Sequence, residues 1–125
     1  MAKSKEKKVL VIEDDRFLIK AYEVKLKSEG YSVSVAHNGE EGLAKIESQK
    51  PDIVLLDLIM PRMDGFDVLK KIQQHKDWKK IPVLILTNLG QEDDRERGLK
   101  LGAEDYFVKA DYSLAQITDF IKKYI

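Results

Sequence analysis

Acidic side chains stand at two places where the sequence around them is otherwise apolar. Glu13-Asp14-Asp15 follow Val9-Leu10-Val11-Ile12, and Asp57 interrupts the apolar stretch from Ile53 to Met60. A third apolar burst, Val83-Leu84-Ile85-Leu86, ends in Thr87, and Tyr106-Phe107-Val108 leads into Lys109. Asp57 is the hardest of these to explain as structure, because an unpaired buried carboxylate is expensive. If the acids converge the cost grows, since two carboxylates ~4 Å apart repel by about 4 kcal/mol at an effective dielectric near 20. Such a cluster needs a cation. The chain has no cysteine, and its two histidines, His37 and His75, are far apart in sequence. Oxygen ligands remain, and few carboxylates with room for water favour Mg²⁺. A carboxylate beside a divalent ion is a competent nucleophile toward phosphorus and yields an aspartyl phosphate. Phosphoryl transfer asks mainly for charge neutralisation and positioning. The Lys109 ammonium and the ion meet the first need, and the Thr87 hydroxyl can bond a phosphoryl oxygen. Each residue alone also has a plainer reading: Asp14 or Asp15 as a helix cap, Thr87 as packing, Lys109 as a solvated charge.

The elements that would carry these residues can be read from periodicity. The continuous runs at residues 9–12, 53–56 and 83–86 suit strands covered on both faces. Tyr31-Ser32-Val33-Ser34-Val35 alternates, as a half-exposed edge strand does, and residues 106–108 give a short fifth strand. Between them lie five helical patterns. The first is carried by Phe17, Leu18, Ala21, Tyr22, Val24 and Leu26 and stopped by Gly30. The second opens on a capping box, Asn38 with Glu41, and ends before Pro51. Phe66, Leu69 and Ile72 form the stripe of the third. The fourth, Gln91 to Leu101, begins with seven polar or charged residues, so only Leu99 and Leu101 anchor it and weak burial makes it a moving part. The last starts at a second capping box, Ser113 with Gln116, and buries Leu114, Ile117, Ile121 and Tyr124. Strands alternating with helices predict an α/β domain with a parallel sheet covered on both faces, whose ligands sit beyond the carboxyl ends of the strands. The four chemical groups then share one crevice.

Composition agrees with a single self-sufficient domain. The 125 residues are 43% hydrophobic and 35% charged, a globular rather than a disordered balance. Lysine plus arginine and aspartate plus glutamate are both 22, which argues against a direct nucleic-acid binder, since that role needs a basic stripe. No strictly apolar run exceeds four residues, so neither a membrane span nor a signal-peptide core is expected, and the cytoplasm is the default location. Residues 1–7 read as a basic, solvated tail.

The chain resembles the receiver domain of two-component response regulators from about Lys7 to Ile125. The resemblance rests on Val-Leu-Val-Ile-Glu13-Asp14-Asp15, Asp57-Leu-Ile-Met-Pro61-Arg-Met-Asp64-Gly65, Leu-Thr87, and Gly102-Ala-Glu-Asp-Tyr106-Phe-Val-Lys109, in order and spacing. It implies a doubly wound, flavodoxin-like (βα)5 fold with strand order 2-1-3-4-5; a chemotaxis receiver is itself an example of that order. It implies that Asp57 is the phosphoacceptor, and that Mg²⁺ is held by Asp14, Asp57 and the Ile59 backbone carbonyl, with Glu13 acting through water. Lys109 would pair with the phosphate. Thr87 would be the switch hydroxyl, moving toward the phosphoryl oxygens and vacating space that Tyr106 fills. Tyr106 would then report the state to the surface of helix four, strand five and helix five. Asp15 is left as a cap or an indirect contributor. The implied protein is a phosphorylation-activated switch rather than an enzyme. A sensor histidine kinase or phosphotransfer protein would supply the phosphoryl group, and a downstream effector or a phosphorylation-dependent homodimer would read it.

Three residues depart from the family pattern. Ala110 stands where proline usually follows the lysine, so a trans Lys109–Ala110 bond is expected, because non-proline cis bonds cost ~2.5–4 kcal/mol. Asn88 stands where a small residue follows the switch threonine and narrows access. Ile59 and Leu89 flank the expected phosphoryl position with side chains that cannot orient water, which predicts a long-lived phosphoryl group. Two other functions weigh against the switch. A receiver-like binding module would carry the acids as remnants. A Mg²⁺ phosphohydrolase would want a second carboxylate where Ile59 stands. The sequence stops soon after the fifth helix, as a stand-alone receiver or one excised from a longer protein would.

Overall fold

A computed structural model describes residues 6–125 of the chain. Five parallel strands, β1 (Lys8–Ile12), β2 (Ser32–Ala36), β3 (Ile53–Leu56), β4 (Val83–Thr87) and β5 (Asp105–Val108), form one sheet in the order β2-β1-β3-β4-β5. The helices between and after them are α1 (Arg16–Ser28), α2 (Gly39–Gln49), α3 (Gly65–Gln74), α4 (Glu92–Lys100) and α5 (Leu114–Lys122). Among the described residues no helix is long and apolar enough to cross a membrane. Residues 1–5 of the expected tail lie outside the described part. Lys7 is exposed, its carbonyl accepts from Ser32 N–H at 2.9 Å, and Lys8 begins β1.

Because side chains alternate along a strand, the central strands feed two cores at once. Leu10, Ile12, Val54, Leu56, Val83 and Ile85 point to the face covered by Ile46 of α2 and by Phe66, Leu69 and Ile72 of α3. Val9, Val11, Ile53, Leu55, Leu84 and Leu86 point to the face covered by Tyr22 and Leu26 of α1 and by Ile117 and Ile121 of α5. Both sets are buried, which is why these strands read as continuous apolar runs.

Two helices bury different residues from those the periodicity suggests. In α1 the buried stripe is Ile19, Tyr22 and Leu26, whereas Phe17 is 91% and Val24 59% exposed. The expected set spans too much of the helix circumference to face one sheet, and spacings of three and four from Ile19 select the face that does. In α4 only Gly98 is buried, and the expected anchor Leu99 is exposed. A Cβ at Gly98 would lie 2.6 Å from Ile85 Cδ1, so a bare backbone seats this helix where a side chain would hold it off. Arg97 adds its guanidinium 4.0 Å above the Phe66 ring.

The caps follow the sequence more closely. α1 closes at Gly30 with φ 92°. Ser113 and Gln116 form a full capping box on α5. At α2 only half of the box forms: Asn38 Oδ1 accepts from Glu41 N–H, while the Glu41 carboxylate turns to His37 Nδ1 at 3.3 Å. His75 holds the turn that follows α3. Its Nδ1 accepts from Asp77 and Trp78 N–H, and its ring stacks on Trp78 with centroids 3.9 Å apart.

Candidate functional site

The order β2-β1-β3 makes β1 and β3 neighbours, with α1 leaving to one face and α3 to the other. The crevice at their carboxyl ends is the switch point of the sheet. Glu13 and Asp57 sit one residue beyond their strands and still extend the ladders: Glu13 N–H donates to Ala36 O and Asp57 N–H to Ile12 O. Both side chains are therefore carried inward, and both residues are buried. Asp14 points out, and Asp15 turns the chain into α1, its Oδ1 accepting from Phe17 and Leu18 N–H at 2.9 and 3.2 Å. Asp15 is thus a helix cap.

Lys109 reaches this pair from the end of β5, two strands from β3 and three from β1. It stands just past β5, in a short 3-10 turn, and Nζ lies 2.6 Å from Glu13 Oε2 and 3.2 Å from Asp57 Oδ2. All three side chains are nearly buried, at 11, 4 and 5% exposure. Their second oxygens take backbone donors, Asp15 N–H on Glu13 and Ile59 N–H on Asp57. Burial pushes the Glu13 carboxyl up to about 7; the Lys109 bond opposes this and the Asp57 charge adds to it. Burial pulls the Lys109 ammonium down, but the bond to Glu13 and the charges of both acids outweigh it and leave its pKa raised. The expected trans bond after Lys109 is present.

One carboxylate oxygen from each of Glu13, Asp14 and Asp57 lies within 4.8 Å of the others. Three acids against one ammonium leave an excess of negative charge, and Asp14 makes no side-chain hydrogen bond or ion pair among the described residues. Hard oxygen donors, an uncompensated charge and an open side fit a hydrated Mg²⁺. The cavity there, about 190 Å³, is lined by Glu13, Asp14, Asp15, Leu18, Asp57, Ile59, Asn88 and Lys109. A larger groove of about 520 Å³ lies among Ile46, Lys50, Pro51, His75, Trp78 and Ile81, away from the acid cluster.

Thr87 ends β4 beside this cavity but is fully buried and not on its wall. Its Oγ1 accepts from Leu89 N–H at 3.4 Å. Tyr106 is 2% exposed and donates its hydroxyl to Leu89 O at 2.6 Å; burial raises its pKa to about 12, with the Asp94 charge adding. Arg95 Nη1 donates to the Tyr106 carbonyl. The loop after β4 is therefore bonded to Thr87 on one side and Tyr106 on the other.

Residues 9–122 match the family model for the response regulator receiver domain. This chain belongs to that family. It is 41% identical over 103 residues to the alkaline phosphatase synthesis transcriptional regulatory protein PhoP of Bacillus subtilis, a stretch that is 82% of this chain and 42% of that protein. It is 43% identical over 102 residues to the transcriptional regulatory protein CpxR of Klebsiella pneumoniae, again 82% of this chain and 42% of that one. The receiver domain thus spans about two-fifths of the length of these relatives. A chemotaxis protein CheY4 structure from Vibrio cholerae superimposes with a TM-score of 0.90 at 26% identity, covering 97% of this chain and all of that one. A response regulator structure from Chloroflexus aurantiacus gives 0.88 at 31%, covering 96% and 98%. Receiver domains are phosphoacceptors in signalling and generally bind Mg²⁺.

Within this receiver domain one expectation about side chains changes. Leu89 does not flank the acids; it packs against the core beside Tyr106, and Leu18 of α1 stands on the cavity wall in its place. Tyr106 is buried in the core beside the loop after β4. Leu18 was legible only as a core residue of α1, because nothing in its spacing tells that the first turn leans over the acids.

Proposed function

We propose that the chain is a phosphorylation-activated switch in which Asp57 is the phosphoacceptor. The observation that carries this is the buried Lys109 ammonium shared by Glu13 and Asp57, with Asp14 open beside them. An Asp57 carboxylate oxygen attacks phosphorus of a sensor kinase's or phosphotransfer protein's phosphohistidine, or of a small phosphodonor. The phosphorus–nitrogen or donor bond breaks, and its electron pair leaves with the donor. Asp14, Asp57 and the Ile59 carbonyl would hold Mg²⁺, with Glu13 contributing through water. When bound, Mg²⁺ supplies neutralisation of the phosphoryl charge. Lys109 keeps its bond to Glu13 and pairs with a phosphoryl oxygen. Thr87 exchanges its bond with Leu89 N–H for one to another phosphoryl oxygen.

That exchange draws on the loop whose Leu89 carbonyl Tyr106 holds, and so it reaches the surface of α4, β5 and α5. A downstream effector, or a second copy of the chain, discriminates the two states of that surface. The test is intact-mass analysis after acetyl phosphate with Mg²⁺. The wild type is expected to gain one phosphoryl group, and Asp57→Ala, or omission of Mg²⁺, to abolish the gain. An adduct that persists in Asp57→Ala refutes the assignment. Size exclusion of the same samples reads whether the switch drives dimer formation.

A further inference from the structure

We infer that Leu18 is the fixed apolar wall that keeps attacking water from a phosphoryl group on Asp57, an inference that rests on Asp57 being the phosphoacceptor. Hydrolysis needs water oxygen to bond phosphorus opposite the Asp57 oxygen. The phosphorus–Asp57 bond then breaks with its electron pair left on the carboxylate, one water proton stays on the released inorganic phosphate, and the other goes to solvent. The rate depends on a side chain that can hold that water in line.

Of the cavity's lining, Leu18 and Ile59 cannot hydrogen-bond. The two differ in how firmly they stand. Ile59 is 51% exposed on the loop after β3 and is free to swing outward. Leu18 is half-buried and packs on the core shared by Val9, Val11 and Tyr22, and its own N–H is tied to Asp15 Oδ1 at 3.2 Å. Asp15 in turn donates its N–H to Glu13 Oε1. Leu18 and Ile59 thus both have their backbone tied to an acid, Ile59 through its N–H on Asp57, and what sets Leu18 apart is that its side chain is packed against the core. Phe17, one residue earlier, leaves the wall to Leu18 by pointing fully into solvent.

The experiment labels wild type, Leu18→Asn and Leu18→Met with acetyl phosphate and Mg²⁺, removes the donor, and follows loss of the adduct by intact mass. Asparagine has nearly the size of leucine and carries an amide that can hold water, so Leu18→Asn is expected to lose phosphate about fivefold faster, the worth of one ordinary hydrogen bond. Leu18→Met, apolar and unbranched, is expected to keep the wild-type rate. Equal decay in wild type and Leu18→Asn overturns the inference, as does acceleration by methionine equal to that by asparagine. Should Leu18→Asn fold poorly, Leu18→Gln replaces it with the same expectation. Failure of the wild type to label would instead refute the phosphoacceptor reading and the inference with it.

Discussion

Replacing Lys109 with methionine keeps the length of the side chain and removes its charge, which isolates the one cation that the acid pair holds. Nζ stands 2.6 Å from Glu13 and 3.2 Å from Asp57, and all three groups are nearly out of water. Removing one partner of a buried ion pair costs about 3–5 kcal/mol, because the carboxylates are left uncompensated. Glu13 limits that cost by taking a proton. Its pKa is already about 7 with the ammonium present and rises further without it. A carboxyl whose folded pKa lies above its unfolded value contributes stability that is fully present below the unfolded value, near 4.5, and lost as pH rises through the folded one. The deficit of Lys109→Met should therefore grow between about pH 6, where Glu13 is neutral, and about pH 8 by about 1.4 kcal/mol, because wild-type Glu13 gives up its proton near 7 and the variant's keeps it. Urea denaturation in EDTA at the two pH values measures it, as a midpoint about 1 M or more below wild type at the higher pH. Excess Mg²⁺ should return part of the loss by binding the folded state alone. A deficit equal at both pH values, or a midpoint within error of wild type at the higher one, would sink the electrostatic account.

Gly65→Ala tests the joint between α3 and the Asp57 loop. A Cβ there would run into the Asp57 carbonyl oxygen and stand 2.6 Å from Leu58 Cα, both backbone atoms that cannot turn aside. Overpacking of this kind costs about 1–3 kcal/mol, and the melting temperature should fall by about 3–10 °C with slower acetyl phosphate labelling; an unchanged melting curve would refute the close approach. Tyr106→Phe removes the hydroxyl that donates to Leu89 O and leaves that carbonyl without its partner, at a cost of about 1–2 kcal/mol. Hydrogen exchange should quicken over residues 88–91, and unaltered protection there would show that the hydroxyl does not hold the loop.

Much of the fold was legible because burial on both faces of a parallel sheet leaves a local signature. Val9–Ile12, Ile53–Leu56 and Val83–Leu86 are apolar at every position since each successive side chain meets a helix on one side or the other. Helix faces were less legible. Phe17 and Val24 have the apolar character of core residues yet stand in solvent, and Gly98, which has no side chain at all, is what α4 buries. Periodicity reports that a helix has an apolar stripe; which of two overlapping stripes meets the sheet depends on how the helix is rotated.

The site divides along the same line. The identities of Glu13, Asp14, Asp57, Thr87 and Lys109, and their places at strand ends, follow from the chain itself, because a charge that interrupts an apolar run is visible without coordinates. Only the tertiary structure decides that Lys109 crosses two strands to bridge Glu13 and Asp57, that Thr87 and Tyr106 both hold the Leu89 backbone, and that Leu18 stands where Leu89 was expected. The physical reason is one of range. Strand ends are set by neighbours a few residues apart, whereas the direction of a side chain at the crevice is set by packing between segments far apart in sequence.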